Sequence, residues 1–150
     1  MLAIVEVMTV KRLDNVAIVV EDLDEAIAFF EELGLVLEGR ATVEGDYVDG
    51  CVGLPGAKTN IAMVCTADGV GRVELTQYVT PDAVAIEPLA PNALGFTRVM
   101  FAVDDIDDTV ARLERHGASL LDRIVQYEDT YKLCYLRGPS GLVVALAQEL

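Results

Sequence analysis

The chain has 150 residues, 53% of them hydrophobic and 24% charged. That is enough apolar material for one packed domain or two very small ones, and too much for a disordered chain. A formal net charge of −14 repels phosphate backbones and argues against a nucleic-acid partner, and no apolar run reaches the roughly 18 residues that a bilayer-spanning helix needs.

The first residues, "MLAIVEVMTVKR", carry no basic region ahead of their apolar part and no small-residue cleavage site. They do not read as a signal peptide, and a cytoplasmic location is expected. "NVAIVV", starting at Asn15, is apolar, β-branched and short, the composition of a buried strand. Asp22 follows, three residues before Glu25, as an aspartate N-cap with an acid at N3. Leu23, Ala26, Ile27, Phe30 and Leu33 then share one helical face, and Gly34 stops the helix. Three strand-like segments come next, at roughly 35–43, 58–66 and 71–79. A short turn or helix in "DYVDGCVGLPGA" separates the first two, and "ADGVG" turns between the last two. "TPDAVAIEPLAPNALG", residues 80–95, holds three prolines and reads as a linker.

The pattern then restarts. "RVMFAV" is a strand, Asp105 stands three before Asp108, Ile106, Val110 and Leu113 share a helical face, and Gly117 stops that helix. Strands are expected at roughly 119–127, 130–137 and 142–148, with "RGPSG" as the last turn. Sliding the sequence by 83 residues sets Asn15–Gly34 on Arg98–Gly117 without gaps. Seven of the twenty pairs are identical: Val16/Val99, Val20/Val103, Asp22/Asp105, Asp24/Asp107, Ala28/Ala111, Glu31/Glu114 and Gly34/Gly117. This is a module duplication. Each module reads as βαβββ, the first over 11–79 and the second over 96–150, giving an α+β fold with two sheets. A helix covers one face of each sheet. The other face needs cover too, most simply by two sheets facing each other around a cavity.

Three cysteines, Cys51, Cys65 and Cys134, form no CxxC pair and suit reduced thiols. The single histidine, His116, sits just before a helix-stopping glycine, where the helix dipole accounts for it.

"LDNVAIVVEDLDEAIAFFEELG", "GRVELTQY", "FAVDDIDDTVARLERHG" and "LCYLRGPSGLVVALAQ" together resemble the vicinal-oxygen-chelate superfamily, which includes glyoxalase I, bleomycin-resistance-type binding proteins and extradiol dioxygenases. The likeness runs over about residues 11–149 in family order and spacing. It implies tandem βαβββ modules whose curved mixed sheets enclose a cavity. Family enzymes hold a divalent metal with histidine and glutamate from the first and last strands of the two modules. Those positions fall on Asn15, Glu74, Arg98 and Ala145; the last comes from setting "RVELTQ" on "VVALAQ", which also pairs Gln77 with Gln148. Only Glu74 suits a metal, whereas catalytic sites take about three nitrogen, sulfur or carboxylate donors. Arg98 is always protonated and brings a cation to the metal position. No metal and no other cofactor is expected.

Side chains alternate along a strand. If Arg98 points into the cavity, so do Phe96, Met100 and Ala102; Asn15 brings Ala17 and Val19, Glu74 brings Arg72 and Thr76, and Ala145 brings Val143 and Ala147. Arg98 is expected to fill the vacated metal position and pair with Glu74. Tyr47, Tyr127, Tyr131 and Tyr135 are candidates to stack on a flat ligand, while Cys134 has no adjacent base and reads as packing. The ligand-binding set is therefore Asn15, Glu74, Arg98, Met100, Tyr47, Tyr127 and Tyr135. Two functions stay open. One is a binding protein that sequesters an apolar or aromatic metabolite. The other is a metal-independent lyase or isomerase, with Glu74 as general base and Arg98 stabilising an oxyanion. Metal-dependent glyoxalase or dioxygenase chemistry is disfavoured by the donor set. By resemblance the expected partners are a small molecule and a second copy of the chain, with the cavity inside one chain or between two.

Overall fold

The computed structural model describes residues 10–150, so most of the N-terminal apolar stretch read above lies outside the described residues. The first half contains β1 (Val16–Val19), α1 (Leu23–Leu33), β2 (Val36–Glu44), α2 (Asp46–Val52), β3 (Lys58–Cys65) and β4 (Arg72–Thr80). The second contains β5 (Val99–Ala102), α3 (Ile106–Glu114), β6 (Ser119–Leu120), β7 (Val125–Tyr127), β8 (Tyr131–Arg137), a 3-10 turn (Pro139–Gly141) and β9 (Val143–Glu149). The first sheet has strand order β1-β4-β3-β2; the second has β5-β9-β8-β6, with β7 also on β8. In each sheet the first strand runs parallel to the last, and the other pairs are antiparallel. The fold is the α+β pair of βαβββ modules with mixed sheets that the repeat implies.

The register makes the duplication spatial. Ala17 lies beside Glu74, and its repeat mate Met100 lies beside Ala145. Glu74 and Ala145 are therefore equivalent in space, as the strand alignment required. Gln77 and Gln148 do equivalent work. The Gln77 amide donates to the Glu21 carbonyl, and the Gln148 amide oxygen accepts from the Ile106 N–H, so each last strand is tied to the turn entering its helix.

Both helices start as the sequence indicates: the Asp22 carboxylate accepts from the Glu25 N–H and the Asp105 carboxylate from the Asp108 N–H, each at 3.0 Å. Such caps satisfy donors that the first turn cannot. Gly34 caps α1 directly with φ +117°, whereas α3 ends at Glu114 and turns through Arg115 and His116 before Gly117 at φ +83°. Both values lie where only glycine is unstrained.

One strand differs from expectation. The segment expected at 119–127 splits into β6 and β7, both on the edge of β8. Between them Asp122 and Arg123 pair with each other at 2.6 Å, both exposed. Adjacent charges, one an aspartate, fit a pleated edge poorly. Its counterpart β2 runs nine residues with one irregularity, between Leu37 and Gly39.

The modules join helix to helix. α1 packs on α3, and one continuous core takes Phe29, Phe30 and Leu75 from the first module and Ile106, Leu113, Leu136 and Leu146 from the second. Phe30 meets Phe29 and, across the module boundary, Phe101 edge-on, with centroids 5.2 and 6.3 Å apart. Arg112 of α3 donates to the Glu32 carbonyl near the end of α1. The turn after β8 seats on α1 so closely that a Cβ at Gly138 would fall 3.0 Å from the Phe29 ring. With α1 and α3 spent on this shared core, the sheets form no closed barrel. Their second faces are left open: Val19 is 54% and Met100 51% exposed.

Candidate functional site

A cavity of about 340 Å³ lies at the seam between the modules. β1 and β5 are edge strands of their sheets, and their neighbouring ends form two walls, with Ala17 and Val19 on one side and Phe96 through Val99 on the other. β8 and the turn after it add Tyr135, Arg137 and Ser140, and the linker crosses over with Ile86, Pro88 and Leu89. Arg137 holds this strap: its guanidinium donates to the Leu89 carbonyl at 3.0 Å and to the Gly141 carbonyl at 2.8 Å. The Ser140 hydroxyl accepts from the Glu21 N–H at 2.9 Å, tying the same turn to the end of the β1 strand.

Sheet register fixes the polar wall. Val143 pairs with Arg137, and Val99 at the start of β5 pairs with Val144, so Arg98, the residue just before β5, continues that register into line with Val143 and Arg137. Met100, Ala145 and Tyr135 form the next row on the same face. Arg98 leans diagonally: its guanidinium carbon is 4.7 Å from the Tyr135 ring centroid, a cation–π contact. Among the described residues its side chain otherwise donates only to the adjacent Thr97 hydroxyl, at 3.3 Å.

Of the residues expected to meet a ligand, the structure brings Arg98 and Tyr135 together in the cavity wall, with Ala17, Val19, Phe96 and Val143 beside them; Ile18, Thr97, Val99 and Leu142, of the opposite strand parity, line it as well. Asn15, Glu74, Met100, Tyr47 and Tyr127 are not part of that wall. The expected Arg98–Glu74 ion pair is not formed. The Glu74 carboxylate accepts from the Thr76 hydroxyl at 3.3 Å, while Arg98 rests on Tyr135. The cause is architectural: Glu74 faces the open side of the first sheet and Arg98 that of the second, and the modules meet through their helices instead. Asn15 donates to its neighbour Asp14 at 3.1 Å. Met100 is on the open face of the second sheet, and Tyr47 on α2 and Tyr127 on β7 are exposed.

Sequence reasoning missed Arg137 and the linker. Arg137 stands two residues after Tyr135 on a strand already recognised, so alternation alone puts both on one face. The signal in the linker was its apolar content, Val84, Ile86 and Leu89, which a plain connector does not need.

The four family metal positions, Asn15, Glu74, Arg98 and Ala145, do not fit a metal. They offer one carboxylate, one amide, a permanent cation and a methyl group, and Ala145 is fully buried. Among the described residues no three of His, Cys, Asp and Glu converge. No thiol lines the cavity. Cys134 is buried in the core, and that burial, with a smaller contribution from Asp107, pushes its thiol up to about 11. His116 pairs loosely with Glu32, at 3.7 Å, beyond the end of α3.

Comparison with known proteins places the fold. The family model of the glyoxalase/bleomycin resistance protein/dioxygenase superfamily matches residues 14–135. The crystal structure of a glyoxalase family protein from Bacillus cereus is 52% identical and superposes with a TM-score of 0.91 over 95% of this chain and 96% of that one. The uncharacterized protein YaeR of Escherichia coli is 26% identical over 140 residues, 93% of this chain and 97% of YaeR. TnmS3, an antibiotic binding protein from a Streptomyces species, shares the fold at a TM-score of 0.61 and 19% identity, over 95% of this chain and 99% of that one. The family match enters just before β1, runs through all three helices and ends at Tyr135 in the cavity wall, and the chain belongs to the glyoxalase/bleomycin resistance protein/dioxygenase superfamily.

Proposed function

We propose that the chain is a cytoplasmic, metal-independent binding protein that sequesters an apolar or aromatic small molecule in the cavity between its modules. The observation that carries this reading is the seam cavity itself. Its volume is in the range of small-molecule sites, and its walls are mostly apolar with a few oriented polar groups. The Tyr135 ring, already engaged on one face by Arg98, offers an aromatic surface for a flat ligand. The Streptomyces antibiotic binding protein supports the reading to the extent that the same fold can carry binding as its activity. The lyase or isomerase alternative asks Glu74 and Arg98 to act on one substrate, and the cavity that contains Arg98 does not contain Glu74.

A homodimer belongs to this proposal. Val19 and Met100 leave both open sheet faces with exposed apolar side chains at their edge strands, the kind of surface a second copy covers. Light scattering coupled to size exclusion is expected to give twice the monomer mass, and a monomer at micromolar concentration would remove this part.

Native mass spectrometry of protein purified from its own cells tests the binding reading. One small organic molecule per chain is expected, recovered chemically unchanged. Steady turnover of that molecule by the wild-type protein, abolished in Glu74→Gln, would replace the binder with the enzyme. One equivalent of tightly held zinc, nickel or iron would end the metal-independent part.

A further inference from the structure

The distribution of charge says more about the ligand. Acids make up 25 of the 150 residues, one in six, yet among the described residues no Asp or Glu is in the cavity wall. Two of the eleven basic residues are. Seven of the eleven, namely Arg12, Arg40, Lys58, Arg72, Arg112, Arg123 and Lys132, have a carboxylate within 4.0 Å. Of the other four, Lys11 and Arg115 are exposed and lie away from the cavity wall. Arg98 and Arg137 are the two in the wall, and among the described residues neither has a carboxylate partner, although acids outnumber bases more than two to one along the chain. Random placement in so acidic a protein favours the opposite result.

Both arginines are also placed to act together. They occupy the two ends of one cross-sheet row, with Val143 between them. Strand spacing puts their Cα atoms about 10 Å apart on the same face, a gap that two long guanidinium side chains close from either side. Arg137 is half-buried and, among the described residues, held by two neutral carbonyls, which orient its charge without neutralising it. Arg98 rests on Tyr135 with most of its donors unused. A half-buried cation such as Arg137 gains from an anion that completes its hydrogen bonds, and the planar fork of either guanidinium suits a carboxylate.

The geometry points to an anion subsite: the ligand of the seam cavity is an aromatic or otherwise apolar acid whose carboxylate sits between Arg98 and Arg137. Its ring lies along Tyr135 and Phe96, under the strap of Ile86, Pro88 and Leu89. This rests on the binding reading above and adds the charge and orientation of the ligand. Arg98 contacts the carboxylate directly. Arg137 contributes charge and also holds the strap, so its loss loosens the apolar roof as well.

A matched pair of probes separates the two ideas. Naphthoate and naphthylmethanol share their rings and differ in the acid. Isothermal titration calorimetry on the wild-type protein is expected to give at least about tenfold tighter binding of naphthoate, weakening as salt rises. In Arg98→Met the ratio of acid to alcohol affinity falls severalfold, whatever happens to the affinity for the alcohol itself, and in Arg98→Lys part of the ratio returns. Arg98 is exposed, so an unchanged melting temperature in these variants checks that the fold is intact. Equal binding of the two probes by the wild-type protein, or a preference undiminished in Arg98→Met, overturns the anion subsite and leaves the apolar cavity standing. Binding of neither probe overturns both.

Discussion

Leu75 in the first module and Leu146 in the second occupy equivalent register positions beside Ile18 and Phe101, and both are fully buried. One residue earlier the modules part: Glu74 stands where the second module has Ala145. On the neighbouring strand Met63 stands where the second has Tyr135, and at the head of the first strand Asn15 stands where the second has Arg98. Caps, helix faces and inward strand positions agree between the copies because both helices and both sheets share one core. The open-face positions differ because nothing in that core constrains them. The difference is chemically one-sided: the second module carries the arginine–tyrosine pair and the second arginine, and the first supplies an apolar wall. Duplication fixed the scaffold, and divergence on one face built the candidate site.

If the core is truly shared, breaking it in either module should have the same large consequence. Leu75→Ala and Leu146→Ala are each expected to cost about 2–5 kcal/mol, from lost burial plus the cavity left behind. Denaturant unfolding followed by circular dichroism should show one transition moved by similar amounts in both variants. Two transitions, with only one of them moved by each substitution, would mean that the modules fold independently and that the interhelical contact is secondary.

A smaller effect tests a place where the copies differ inside the core. Cys134 is equivalent to Ala62: each sits beside the buried leucine of its sheet. Burial raises the Cys134 thiol from 9.0 to about 11. The unfolded chain ionises first, so the stability tied to the protonated thiol is complete below pH 9 and is lost as pH rises towards 11. By pH 10 the loss is on the order of 1 kcal/mol. Cys134→Ala, which copies the first module, should flatten that alkaline slope. A slope unchanged by the substitution would assign it to other groups.

The scaffold was legible in the sequence because it is written in local patterns. The 83-residue repeat, two Asp caps, two stopping glycines and alternating strands gave the elements and the equivalence of Glu74 with Ala145. The candidate site was legible only in part. Arg98 and Tyr135 were identified, one from the family position and one as a candidate aromatic. Pairing Arg98 with Glu74 assumed that the two sheets face each other within the chain. Which faces meet depends on how two amphipathic helices pack, and strand periodicity carries no information on that. Arg137 and the strap were missed for a related reason: a residue at a strand's end gains its role from the linker 48 residues earlier, whose Leu89 carbonyl it holds.

The smallest expected effect concerns the feature on which the copies agree most closely. The Asp22 and Asp105 caps have the same extended backbone, the same acceptor geometry and the same exposed setting. Asp22→Ala and Asp105→Ala should each cost about 0.5–1 kcal/mol. Past their caps, however, the two helices differ. α1 runs eleven residues and ends in a direct glycine cap, while α3 runs nine and loosens into a turn before its glycine. α3 also has the lower share of apolar residues, and its exposed Arg112–Asp108 pair adds little. Amide hydrogen exchange should therefore separate the two caps even where global stability does not. Asp105→Ala is expected to speed exchange through the first turn of α3 more than Asp22→Ala does in α1. Equal protection in both helices after substitution would show that the shared core, rather than each helix's own ends, sets local opening.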